Sequence, residues 1–145
     1  MASSADRVFL GRFERCELPE ADWTHLAHIR IAWIYLSTLP ASEALQRIRQ
    51  GILRYNTEVL QRRHKYHETV TVAFTRIVAD RMRSGESWEV FSRRIADLLD
   101  TETPLLLRYY SKNRLFSDIA KNEFLEPDLE KIPPITEDLQ RLKNG

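Results

Sequence analysis

Residues 23–36, WTHLAHIRIAWIYL, restrict the fold more than any other stretch of the chain. Wound as a helix at about 100° per residue, the segment sets His25, His28, Ile29, Ala32, Tyr35 and Leu36 on one side. Ala27, Ile31 and Ile34 occupy the opposite side, where Arg30 is the one charge. A helix apolar nearly all round belongs in the middle of a domain, with other helices covering its faces. Two histidines three residues apart open its inward face. An imidazole nitrogen withdrawn from water without a partner costs about 1–3 kcal/mol, so each ring must be matched by a protein group, an ion or a ligand. Arg30, flanked by apolar residues, needs an acidic partner or ligand for the same reason.

The rest of the chain supplies the helices to surround it. A first helix is expected over about 5–16, with Phe9, Phe13 and Cys16 at i, i+4 and i+7. Pro19 fits the first turn of the central helix or the loop before it, with Asp22 as a rival N-cap, and the choice decides whether His25 sits in mid-helix or in the first turn. The central helix stops before Pro40. Ser42 is the expected cap of a helix with Leu45, Ile48, Ile52, Tyr55 and Val59 as its core positions. Gly51 inside it costs near 1 kcal/mol unless a neighbouring helix packs closely there. The run 61–65, QRRHK, reads as a connection. Over about 66–83, His67, Val70, Thr71, Phe74, Ile77 and Val78 share a face. Ser84-Gly85-Glu86-Ser87 ends that helix and starts another with the stripe Trp88, Phe91, Ile95 and Leu98. Thr103-Pro104 is an N-cap and first-turn pair, Ser111 and Ser117 are further caps, and Ile132-Pro133-Pro134-Ile135 favours polyproline II.

These patterns predict an all-α fold: a single-domain bundle of five or six helices over 1–130, with an irregular, Pro-containing tail over 131–145, extended or loosely attached. A chain of 145 residues is long enough for a real core. The net charge of +1 argues against a nucleic-acid binder, which needs a clear positive excess to displace counterions. Paired arginines such as Arg62 and Arg63 lie on separate segments among acids and read as solvated faces. One cysteine, Cys16, cannot close an internal disulfide, which fits a reducing cytoplasm. The N-terminus has an early acid and no long apolar run, so it is not read as a secretory signal, and no stretch approaches the roughly 18 apolar residues that span a membrane.

Four motifs form a set: Trp23-Thr24-His25-Leu26-Ala27-His28, Tyr66-His67-Glu68-Thr69-Val70-Thr71, Leu107-Arg108-Tyr109-Tyr110-Ser111 and Phe124-Leu125-Glu126-Pro127-Asp128. Over roughly residues 9–130 the chain resembles a group of small, uncharacterised bacterial helical proteins. That resemblance implies a single helical domain and no particular activity, cofactor or substrate.

Function is read from the histidines. His25 and His28 at i and i+3 share a helix face, and His67 from a facing helix would complete a three-ligand metal site with an open position. Zinc suits three nitrogens, and iron suits two histidines with a carboxylate. Glu68 follows His67 but points about 100° away, which places it as a catalytic base beside the metal. The bland alternative for Glu68 is a first-turn acid facing the helix dipole. Thr24, Arg30, Thr71, Arg108 and Tyr109 are the substrate-binding candidates, although Arg108 and Tyr109 after three leucines also fit half-buried packing. The leading expectation is therefore a cytoplasmic metal-binding protein or metalloenzyme acting on a small polar molecule. Two alternatives stand beside it: a metal-free ligand-binding or interaction module whose histidines are structural, held by Thr24, Glu68, Thr71, Asn56 or backbone carbonyls, and a metal-independent His/Glu acid–base enzyme. Whether it is an enzyme stays open. A small molecule and a second copy in a homodimer are the partners considered, with no nucleic acid and no membrane.

Overall fold

This computed structural model describes residues 1–99 and 105–135. Among them are seven α-helices, three short 3-10 turns and no strand. The helices are α1 (Ser4–Glu14), α2 (His25–Thr38), α3 (Ala41–Glu58), α4 (Glu68–Arg81), α5 (Trp88–Arg94), α6 (Lys112–Leu115) and α7 (Asp118–Asn122). The all-α expectation holds. No helix among the described residues is long and apolar enough to cross a membrane.

As its apolar faces require, α2 is central. It packs most extensively against α3 and then α4, and Ile31, Ile34 and Leu36 are fully buried. Pro19 lies in the connection before α2, one of the two places expected for that residue, and Asp22 is not its cap. Pro19 opens a 3-10 turn, Glu20–Asp22, and Thr24 is the N-cap, its hydroxyl accepting from the Ala27 N–H at 3.2 Å. His25 is therefore the first residue of the helix. Arg30 has the acid it needs: its guanidinium donates to Asp6 at 2.8 Å. Asp6 is fully buried and also closes the capping box of α1 with Ser3. Burial pushes the Asp6 carboxyl upward, but the Ser3 N–H and Arg30 outweigh it and hold the carboxyl below its usual range.

The start of α3 corrects a second expectation. Pro40, not Ser42, is the N-cap, and Ser42 falls inside the first turn, because a proline with no N–H to lose is accommodated at a helix entrance. Gly51 is buried where α1 crosses α3, and a Cβ built on it would stand 2.6 Å from the Phe13 ring. The close approach anticipated for this glycine is present. The stripe Trp88, Phe91, Ile95 and Leu98 is buried as expected.

The chain returns from α5 through Leu105, Leu106 and Tyr110, all buried, to the N-terminal end of α4. There Thr69, fully buried, donates to the Glu123 carbonyl at 3.0 Å and accepts from the Leu125 N–H at 3.1 Å. Tyr110 donates to the Leu125 carbonyl at 2.7 Å. Ser117 caps α7 through the Ala120 N–H. Ser111, expected as a cap, makes no side-chain cap bond to α6 and donates instead to Asp128 at 2.6 Å. At the start of the tail Ile132 is 4 % exposed and belongs to the core. Thr103, Pro104 and residues 136–145 lie outside the described residues.

Candidate functional site

A cleft of about 600 Å³ opens between α2, α3 and α4. Its wall includes five of the residues singled out in the sequence: Thr24, His25, His28, His67 and Thr71. Apolar side chains such as Ile29, Ile52 and Phe74 form the rest of its body, and Glu20 and Lys65, both exposed, stand at its rim.

The histidines are held by backbone carbonyls, one of the alternatives weighed for them. A carbonyl oxygen only accepts, so each such bond fixes a proton on the ring nitrogen that makes it. His25 donates from Nε2 to the Leu98 carbonyl at 2.8 Å, and its ring meets Phe74 edge-on at 5.1 Å between centroids. In the neutral imidazole, Nδ1 is then the acceptor, and it has no partner among the described residues. His28 donates from Nδ1 to the Thr24 carbonyl one turn back at 2.7 Å, which leaves Nε2 as an acceptor with no partner among the described residues. The ring lies 3.8 Å from that of Trp23, which itself packs against Phe13 at 4.9 Å and Tyr55 at 4.8 Å. Burial in this aromatic stack pushes the His28 imidazole down to about 4, with the nearby His25 acting in the same direction and the bond to Thr24 opposing it.

His67 differs from the other two because both its nitrogens are committed. It is the N-cap of α4: Nδ1 accepts from the Val70 N–H at 3.2 Å, the place usually taken by a serine or aspartate oxygen. Nε2 donates to the Leu115 carbonyl at 2.9 Å. A ring accepting at one nitrogen and donating at the other must be neutral, and burial lowers its proton affinity further. The expected trio therefore lines one cleft without offering three lone pairs to one ion. Among the described residues no group of three or more histidine, cysteine, aspartate or glutamate side chains is arranged to hold a metal.

The remaining candidates are placed elsewhere. Glu68 does not line the cleft. It is gripped by Arg49 at 2.7 Å and accepts from the Tyr66 hydroxyl, so its carboxylate joins α3 to the start of α4. Arg30 is engaged by Asp6 and lies over the Phe9 ring at 4.5 Å. Arg108 is exposed, 3.9 Å from Glu130, with its guanidinium over the Tyr109 ring. Tyr109 is buried, and its backbone carbonyl accepts from the Leu129 N–H at 2.9 Å. Tyr109 is packed into the core, whereas Arg108 is exposed, and neither lines the cleft.

The structure adds to the cleft residues that the sequence patterns did not select as ligand-binding candidates, where Asn56 figures only as a partner for the histidines. Asn56 is 5 % exposed, yet among the described residues its carboxamide has no hydrogen-bond partner. Its one sequence signal is its place one turn after Ile52 on the core side of α3. Thr75 is 1 % exposed and donates to the Thr71 carbonyl at 2.7 Å. Thr71 donates to the His67 carbonyl at 3.0 Å. Tyr66 donates to Glu68, and burial followed by that bond raises its phenol above the usual range.

An all-α domain with a largely apolar cleft, carrying a few polar groups, beside its central helix is the class that fold and site define. Compared with protein-family models, curated proteins and solved structures, the chain matches none.

Proposed function

We propose that the protein binds a small organic molecule in the cleft between α2, α3 and α4, using its own side chains. The observation that carries this reading is Asn56. A buried carboxamide without a partner costs about 1–3 kcal/mol, and such groups are rare in native interiors unless something outside the chain completes them. The acceptor nitrogens of His25 and His28 are set in the same wall, each oriented by a backbone carbonyl. Apolar body and few placed polar groups are the usual composition of a small-molecule site, and the volume lies within the usual range.

The test is a ligand-observed fragment screen of the folded protein, with hits mapped by amide and histidine-ring NMR shifts. Hits that perturb His25, His28, Asn56 and Phe74 together, and lose affinity in Asn56→Leu, support the reading. Hits confined to other surfaces, or none, overturn it.

A second reading rests on the same two lone pairs. His25 Nδ1 and His28 Nε2 would hold a divalent ion such as zinc, with water or a ligand filling the other positions. It predicts zinc binding by calorimetry that disappears in His28→Gln and persists in His67→Asn, since His67 has no lone pair to give. Binding lost only in the His67 variant, or absent altogether, counts against it.

A further inference from the structure

Proton counting along the cleft narrows the chemistry of the ligand, and this inference rests on the ligand-binding reading above. His25 and His28 have each donated their one proton to a carbonyl, at 2.8 and 2.7 Å, and are left with lone pairs. The hydroxyls of Thr71 and Thr75 have donated to carbonyls at 3.0 and 2.7 Å, and the Tyr66 hydroxyl to Glu68. A hydroxyl whose proton is committed can only accept from a newcomer. Thr71 and Thr75, with Asn56, are the buried polar residues of the wall. The cleft's ammonium, Lys65, and the hydroxyl of Thr24 belong to exposed residues. Among the described residues of the wall, the Asn56 amide and the Trp23 indole N–H beside His28 are the partly or fully buried side chains with N–H groups to give, against acceptors on His25, His28, Thr71, Thr75 and the Asn56 carbonyl oxygen, which outnumber them.

A wall of acceptors selects a donor. A carboxylate or phosphate would set its lone pairs against those of the imidazoles and threonines, which repels like partners and leaves each unmatched. A protonated amine presents up to three N–H groups and no lone pair. Phe74 lines the cleft beside His25 and adds an aromatic ring to the wall, while the rim carries one acid, Glu20, and one ammonium, Lys65, so the selection rests on the acceptors of the interior. The surrounding isoleucines and valines suit an apolar body behind the charged head.

We infer that the cleft is a site for organic ammonium ions: an alkyl or aralkyl amine, its N–H groups donated to His25, His28 and the Asn56 carbonyl oxygen, its apolar part against α3 and α4.

Matched probes test the inference. Phenethylammonium, the alcohol of the same skeleton and the corresponding carboxylate are titrated into the protein near neutral pH by calorimetry, with NMR shifts locating the site. The ammonium is expected to bind at least about tenfold more tightly than the carboxylate, with the alcohol between them. His28→Gln, which replaces the ring acceptor, is expected to weaken the ammonium by about tenfold and to narrow its lead over the carboxylate, and Asn56→Leu, checked for native circular dichroism, is expected to weaken the ammonium by about tenfold while removing the N–H groups a carboxylate would use. A carboxylate that binds more tightly in the cleft overturns the proton count while the ligand-binding reading stands. Equal affinities for all three, or an ammonium affinity unmoved by both variants, also overturns it. Fragment hits that map to the cleft but include no amines refute the ammonium assignment alone. No cleft binding by any probe or fragment removes both.

Discussion

Replacing Asn56 by leucine is expected to make the protein more stable and less capable of binding. The two side chains have nearly the same shape, so the exchange leaves the backbone and the neighbouring Tyr55 undisturbed and removes only the polarity. Asn56 is 5 % exposed and its carboxamide is unmatched among the described residues, which sets the desolvation it suffers at about 1–3 kcal/mol. Leucine has no such debt and adds apolar surface to a wall that already contains Ile48 and Ile52. The net gain is about 1–3 kcal/mol. For a domain of this length that raises Tm by about 3–10 °C. Urea unfolding followed by far-UV circular dichroism reads the gain as a higher midpoint at constant slope. A stability–function trade-off of this sign marks a residue kept for binding rather than for folding. Unchanged or lower stability in Asn56→Leu would refute the reasoning, because the amide would then be satisfied in the native protein and would have no need of a ligand.

Acid is expected to destabilise the fold through His28. Burial holds its imidazole at about 4 in the native protein against 6.5 when exposed. The unfolded chain thus takes up a proton that the native chain refuses. Stability is full above about pH 6.5 and falls as the pH drops towards about 4, by about 3 kcal/mol from this ring. His67, also lowered, acts in the same direction. Denaturation midpoints at neutral and mildly acid pH in wild type and His28→Gln check this, and equal pH dependence in the two proteins sinks it. Gly51→Ala is expected to cost about 1–3 kcal/mol, because the new Cβ would meet the Phe13 ring at 2.6 Å and overpacking outweighs alanine's helix preference of about 1 kcal/mol. The double variant with Phe13→Leu should recover part of that loss in thermal melts, and no recovery would place the strain elsewhere.

What could be read in the sequence was decided by how local each cause is. The central place of α2 follows from apolar residues on both its faces, and the stripe from Trp88 to Leu98 follows from their spacing. Arg30 had to have an acid because nothing nearby could solvate it. That the acid is Asp6 depends on α1 folding across α2. His67 illustrates the opposite case. Imidazole rarely caps a helix, so three inward histidines read more naturally as ligands than as two oriented acceptors and a cap. Glu68 is claimed by Arg49, a residue nineteen positions earlier, and adjacency to His67 gave no hint of that. Asn56 carries no motif at all. Its significance lies in having no partner among the described residues, which a sequence cannot display.

The histidine bonds also fix an order of events during synthesis. His25 closes on Leu98, 73 residues further on, and His67 on Leu115, 48 further on. Thr69 waits for Glu123 and Leu125. A nascent chain that has released α1 to α4 therefore has every residue of the cleft wall but lacks the carbonyls that orient two of its imidazoles. The cleft's histidines are all oriented only when the segment through Leu115 has left the ribosome, although the residues of its wall were made much earlier. A message truncated before that point would yield a helical, collapsed product with an unfinished site.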